Sequence, residues 1–454
     1  MNTTDTIIAP ATAPGDGGIA IVRISGDDAL AALLCYFRPS SGALELDSHR
    51  LYHGRLIDQS DSLVDEVMAV YMAAPHTYTR DDVVEIQCHG SQQVVKSILN
   101  LYQSYGVRLA EPGEFTFRAY MNGRLDLSQA EAVSRLIHAK TDSSRKLALT
   151  QIDGSLSREI HLFTASLKKA LVLVEAWIDF PEENLPTEDL GQIAASISHV
   201  KLKSELITGS YSCGRVLSEG ASILLVGQPN VGKSSLLNAL LGEDRAIVTA
   251  VPGTTRDLLE EGLTIDGMPV RLVDTAGLHE TSDVVEIEGI RRAQEKINQA
   301  DLVLFVVDAS KKLDDLDYRV QERCDGLPVF LVLTKSDAAV VVDDLSFCDF
   351  PAYRVSSKTG EGLDQLRRAI SSFLAGDYLS SSESVMLTER RHYEALLFCL
   401  ENLGRASALL VDSSSLELLA FELREALYHL GQISGETTTE SLLDDIFSGF
   451  CIGK

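Results

Sequence analysis

Ser222-Ile-Leu-Leu-Val-Gly-Gln-Pro-Asn-Val-Gly-Lys-Ser-Ser-Leu-Leu-Asn-Ala-Leu-Leu241 decides how this chain is read. Ser222 to Val226 is a short, nearly continuous apolar run, the pattern of a buried strand. Gly227 to Ser234 then fits GxxxxGK[ST], and Ser235 to Leu241 reads as helix. Strand, glycine loop and helix in that order build a phosphate cradle. The glycines let backbone N–H groups wrap phosphate oxygens, and the helix start adds the positive end of its dipole. Asn230, Val231, Gly232, Lys233, Ser234 and Ser235 are therefore the candidate phosphate contacts. Lys233 is expected at the β- and γ-phosphates, with a catalytic share, and the Ser234 hydroxyl at Mg²⁺.

Three further segments follow at the right order and spacing. Asp274-Thr-Ala-Gly277 closes the apolar strand Val270 to Val273. Asp274 is expected to hold the Mg²⁺ shell through water, and Gly277 to offer its N–H to the γ-phosphate; Thr275 and Ala276 lie between them. Thr334-Lys335-Ser336-Asp337 ends the strand Val329 to Leu333. A carboxylate at Asp337 can accept from guanine N1–H and the 2-amino group, which adenine lacks. Ser356, Ser357 and Lys358 follow another short strand and fit the loop behind the base. Thr334 stands where this signature usually has Asn, which predicts a weaker tether to the phosphate loop.

The catalytic arrangement departs further. Leu278 follows the DxxG segment, where a water-orienting Gln is usual, and no arginine finger is identifiable. Asn230 could place an amide oxygen on a cation beside the phosphates. Thr249-Ala250-Val251-Pro252-Gly253-Thr254-Thr255-Arg-Asp257 could turn carbonyls to the same point. A monovalent cation there would neutralise transition-state charge in place of arginine.

Away from this segment, 454 residues suggest about three domains at ~150 residues each. A net charge of -26 argues against gripping nucleic acid by phosphate contacts alone. No apolar run reaches the ~18 residues of a membrane span, and no signal peptide is visible. Seven scattered cysteines without metal spacing point to a reducing cytoplasm. Residues 1–120 read as α+β: strands at Ile19 to Ile24, Val67 to Met72 and Val83 to Cys88, and a helix from Gln92 to Tyr105. Residues 121–216 read as helical. Ser128-Gln-Ala-Glu131 predicts a capping box, and Leu149 to Ile178 one long amphipathic helix. Residues 217–378 alternate strand and helix, and 379–454 return to helix. There Ser414-Ser-Leu-Glu417 predicts a cap, Leu419, Leu423, Ala426, Leu427 and Leu430 the buried stripe, and Gly431 the stop. The two helical flanks read as one domain split by an inserted α/β domain.

Over its whole length the chain resembles the bacterial tRNA-modification GTPase family MnmE (TrmE). Thr249 to Asp257 resembles that family's potassium loop, and Asp274 to Glu286 its switch II. The resemblance implies K⁺ on Asn230, Thr249, Val251 and Thr254, Thr255 beside Ser234 at Mg²⁺, and Glu286 as the catalytic residue that positions water. Without it, Glu286 reads first as a solvated carboxylate at a helix start. His279 stands where the family usually has Arg.

Both ends are similar to the family as well. Gly17 to Gly26, Asp81 to Glu85, Cys88-His-Gly90, Pro112 to Phe117 and Asn122 to Leu127 lie in its pattern. These imply a dimerising N-terminal domain that binds 5-formyl- or 5,10-methylene-tetrahydrofolate through Arg23, Glu85, Arg124 and Lys454. Phe450-Cys-Ile-Gly-Lys454 matches the family tail. Cys451 is either a reactive thiol, which would need a lowered pKa, or a cysteine that packs at the folate pocket. By the same resemblance the protein forms a homodimer and joins an FAD-containing partner, MnmG (GidA), in a heterotetramer. Together they modify carbon 5 of the tRNA wobble uridine. Two other readings stand beside this one. A ribosome-assembly GTPase shares the nucleotide segments but carries a KH-type module, absent here. A non-catalytic GTP-gated scaffold would bind without turnover.

Overall fold

The computed structural model describes residues 5–42, 45–180, 187–242, 260–274, 300–324, 326–339, 341–342, 349–376, 385–412 and 415–453. The chain divides into two compact units. The first comprises Met1–Ser134, Gln151–Ala165 and Leu427–Lys454; the second comprises Arg135–Thr150 and Ser166–Ala426.

The first unit is built on strands β1 (Ile7–Pro10), β2 (Gly17–Ser25), β3 (Phe37–Pro39), β4 (Arg50–Ile57), β5 (Leu63–Met72), β6 (Val83–Gly90) and β7 (Arg108–Leu109). They form one sheet in the order β3-β4-β5-β6-β2-β1-β7. Alternation buries Val22, Ile24, Val84, Ile86 and Ala69 on one face, under the helices Ala29–Tyr36 and Gln92–Tyr105. Gly106 ends the second of these as expected, in the left-handed region at φ 113°. The chain terminus packs into this unit. Phe447 and Phe450 meet Phe117, Leu127 and Ala130 in a separate apolar cluster.

The second unit carries β8 (Ala221–Val226), β9 (Glu260–Ile265), β10 (Met268–Asp274), β11 (Leu302–Asp308), β12 (Val329–Thr334) and β13 (Ala352–Arg354). Their order is β13-β12-β11-β8-β10-β9. All neighbours are parallel except β9 and β10. Apolar clusters lie on both faces of this sheet, which explains the unbroken apolar runs of β8, β11 and β12. The helix Arg390–Asp412 packs on Thr187–Gly209, and Arg135 pairs with Glu389 at 2.6 Å across 254 residues. The helical flanks before and after the sheet thus meet, as an inserted α/β domain requires.

Four local readings shift. The cap expected at Ser128 lies two residues earlier. Asp126 Oδ1 accepts the Gln129 N–H at 2.9 Å, and Gln129 Oε1 accepts the Asp126 N–H at 3.0 Å. The expected single helix through Leu149 is two, Asp142–Ile152 and Ser155–Asp179, divided at Gly154 (φ 79°). The cap at 414 moves to Ser415, whose hydroxyl accepts the Leu418 N–H at 3.3 Å; Ser414 is outside the described residues. Gly431 does not stop its helix, which runs to Ser434 before Gly435 (φ 96°). A Cβ at 431 would meet Thr437 Oγ1 at 2.7 Å, so this glycine admits the returning chain instead.

Candidate functional site

Parallel strands bring their C-terminal ends to one edge of the sheet. The phosphate loop leaves β8 there, and Asp274, Asp308 and Thr334 end β10, β11 and β12 beside it. This is where open α/β sheets bind ligands. Gly227 turns the chain at φ 150°, and a Cβ there would meet Val306 O at 2.2 Å. Asn230 adopts φ 63°, and Gly232 (φ 104°) precedes the helix Lys233–Leu241. The loop therefore presents the N–H groups of a helix start.

Lys233 is buried at 6% exposure, and its Nζ donates to Gly227 O and Gln228 O, both at 2.8 Å. It lies folded along the cradle, where a phosphate would offer its ammonium a charged partner. Ser234 and Ser235 stand exposed in the first helical turn. A hydroxyl at Ser234 fits the hard oxygen donor that Mg²⁺ takes at such loops. Asn230 is exposed, and among the described residues its side-chain amide has no hydrogen-bond partner.

Thr334 answers the expectation of a weak tether. Its buried hydroxyl donates to Val231 O and lies 3.1 Å from Val307 O. The shorter side chain still ties β12 to the phosphate loop. Asp337 is exposed, and its Oδ1 accepts from the Ser356 hydroxyl at 2.7 Å. That bond holds the Asp337 carboxyl below its ordinary range. Ser356 is buried, and its Oγ accepts the N–H groups of Lys358 and Thr359 at 3.3 and 3.2 Å. The two base-side segments are thus locked together, with Ser357 and Lys358 beside them.

The structure places Asn230, Val231, Gly232, Lys233, Ser234, Ser235, Thr334, Lys335, Asp337, Ser356, Ser357 and Lys358 around this edge. Asp274 is placed by its backbone at the end of β10. Thr249 to Thr255, Thr275 to Gly277, Glu286 and Lys454 lie outside the described residues. Sequence reasoning did not single out Asp308. Its carboxylate is 3% exposed and meets Lys335 Nζ at 2.6 Å. The available signal was an acid ending a wholly apolar strand.

A second cluster lies in the first unit. Arg23 and Glu85 are direct cross-strand partners on β2 and β6. Arg23 Nη2 and Nε donate to one Glu85 oxygen at 2.7 and 2.8 Å. The Arg23 guanidinium lies 5.8 Å from the ring centroids of both Tyr78 and Phe115. Arg124 stacks on Tyr78 at 4.7 Å and donates to Tyr78 O at 2.8 Å. Arg23 and Arg124 thus flank one phenol, and Glu85 joins them through Arg23, the three being 62 and 39 residues apart in sequence. Burial pushes the Tyr78 hydroxyl up, and it bonds Thr116 Oγ1 at 2.9 Å. No sequence spacing announced Tyr78. Gly453 packs on β1, where a Cβ would meet Pro10 O at 2.0 Å, and Cys451 O accepts the Gly113 N–H at 3.4 Å. The tail, with the exposed Cys451, therefore lies on the strand next to Arg23.

Comparison with known proteins adds the following. The family pattern described as the MnmE helical domain matches residues 127–451, and that of the GTP-binding protein TrmE N-terminus matches residues 6–124. The chain is 47% identical over 456 residues to the tRNA modification GTPase MnmE of Syntrophotalea carbinolica, covering 100% of both chains. It is 47% identical to that of Geobacter sulfurreducens and 42% to that of Natranaerobius thermophilus, again over 100% of both.

Proposed function

The chain belongs to the MnmE family of tRNA-modification GTPases, and from that premise we propose a K⁺-stimulated cycle of GTP hydrolysis that serves modification of the tRNA wobble uridine at carbon 5. The protein is a GTP hydrolase; the cation, the partner and the modification are the proposed parts. Mg²⁺ sits on Ser234 and Thr255. K⁺ sits on Asn230, Thr249, Val251 and Thr254, and Glu286 positions the attacking water. A tetrahydrofolate held by Arg23, Glu85, Arg124 and Lys454 supplies the one-carbon unit. The protein acts in the cytoplasm as a homodimer, with an MnmG-like FAD protein and tRNA. Among the described residues no helix is long and apolar enough to cross a membrane.

The observation that carries the cation reading is Asn230. It is a non-glycine residue held at φ 63° inside the phosphate loop, with its amide exposed. Asparagine tolerates that conformation better than most residues, and here it leaves an amide exposed beside the phosphate cradle. A cation held there neutralises charge that develops in the transition state. With Leu278 unable to orient water, a carboxylate further along switch II takes that role.

Turnover measured at constant ionic strength should rise steeply when K⁺ replaces Na⁺, and Asn230→Ala should remove most of the response. Glu286→Ala should lower single-turnover hydrolysis by ~10²–10⁴-fold with GTP affinity nearly intact. Equal, substantial rates in the two salts would sink the cation reading. A dispensable Glu286 beside an essential Glu280 would relocate the water-positioning role.

A further inference from the structure

Two non-glycine residues at the nucleotide edge are left-handed, Asn230 (φ 63°) and Lys335 (φ 59°). Such conformations persist only where the surroundings over-determine them. The two hold one another: Lys335 Nζ donates to Asn230 O at 3.1 Å. The same ammonium donates to Asp308 Oδ2 at 2.6 Å. Asp308 ends β11, between the strand that launches the phosphate loop and the strand that leads to the base reader. Its other oxygen faces a separate structural arm, accepting from Ser310 N at 3.0 Å and Ser310 Oγ at 2.6 Å. Lys311 Nζ approaches the Lys335-bound oxygen only at 3.9 Å.

We propose that Asp308 is a positioning residue for GTP binding and turnover: it fixes Lys335 over the phosphate loop and, through Lys335, holds the backbone carbonyl of Asn230. The argument is one of competing partners. A lysine ammonium is a rotatable point charge on a flexible stem. Without a buried carboxylate at its far side, it has no reason to prefer Asn230 O over water. A charge-assisted bond to a buried carboxylate removes that freedom. The conformation of the phosphate loop is thereby coupled to the base-reading segment, because Lys335 lies two residues before Asp337.

Asp308→Asn separates the two arms. Asparagine can still accept from Ser310, but it offers Lys335 no charge. In the full-length protein, titrated with a fluorescent GTP analogue, Asp308→Asn should weaken binding about tenfold, the loss expected of one charge-assisted bond. Lys335→Met should weaken it at least as much. The double variant should match Lys335→Met alone, because both changes cut one chain. Losses that multiply in the double variant, or an Asp308→Asn protein with a lowered melting temperature and unchanged affinity, would overturn the proposal. Should Asp308→Asn not fold, Ser310→Ala and Lys335→Met carry the test. Ser310→Ala cuts only the structural arm and should leave affinity within about twofold, against a tenfold loss for Lys335→Met. Equal losses in those two variants would overturn the proposal as well.

Discussion

Lys233 at the nucleotide edge of the parallel sheet and Arg23 in the N-terminal sheet reach their partners across different lengths of chain. Lys233 bonds two neutral carbonyls of its own loop. Arg23 bonds the carboxylate of Glu85, and in the same unit Arg118 bonds Glu114 and Asp5 at 2.9 and 2.8 Å. The Lys233 contacts span six and five residues of chain, the Arg23–Glu85 contact 62. The first is made by one local segment, the second by two strands that the sheet brings together. Ligand affinity should therefore depend on single side chains at the first and on shared placement at the second.

The largest expected effect tests the first half of that contrast. Asp337→Asn removes charge-assisted bonds to guanine worth ~1.5–3 kcal/mol, or ~10–150-fold in GTP affinity. Xanthosine triphosphate should then bind better than GTP in a competition titration, while tetrahydrofolate binding stays unchanged. ATP competing equally with GTP in the parent protein would remove the base-reading assignment.

A smaller effect is expected at the second region. Arg23→Ala and Gly453→Ala should each weaken 5-formyl-tetrahydrofolate binding about three- to tenfold by calorimetry. The first breaks the Glu85 pair. The second drives a methyl into Pro10 O from a left-handed backbone at φ 90° and displaces the tail. GTP affinity should not change, since sites in different units that share no residues act independently by default. Unaltered folate affinity in both variants would place that pocket elsewhere.

The smallest effect is on acid stability. Hydrogen bonds from Arg108, with its charge and that of Arg118, hold the Asp5 carboxyl below its ordinary range. Burial pushes the Glu114 carboxyl up, but bonds from Arg108, the Glu111 N–H and Arg118 outweigh it and leave it lowered. Folded values below unfolded ones mean stability that is fully present above about pH 4 and is lost as pH falls through the folded values. Thermal melts between pH 7 and pH 3 should show a steeper acid loss for the parent than for Glu114→Gln. Equal slopes would mean that this cluster does not set the acid limit.

The shifted caps show where reading residue by residue falls short. Ser128-Gln-Ala-Glu131 and Asp126-Leu-Ser-Gln129 both satisfy the spacing of a box, and only the entering chain direction selects the second. Gly154 and Gly431 look alike as helix breakers. One is left-handed and divides two helices; the other lies within its helix, where Thr437 passes too close to admit a Cβ.

The sequence by itself determined the phosphate loop. A phosphate loop is made by the backbone of eight consecutive residues, so its geometry follows from where glycine is permitted and where a helix begins. It likewise put Asp337, the expected base reader, three residues past the end of β12, as an acid following an apolar strand in that order of segments. Only the tertiary structure decided that Arg23, Glu85, Arg124 and Tyr78 form one cluster, that the tail lies along β1, and that Asp308 grips Lys335. Those contacts join residues that strand order makes neighbours across 27 to more than 400 positions of chain. Strand order is set by the packing of whole apolar faces, which no local spacing records.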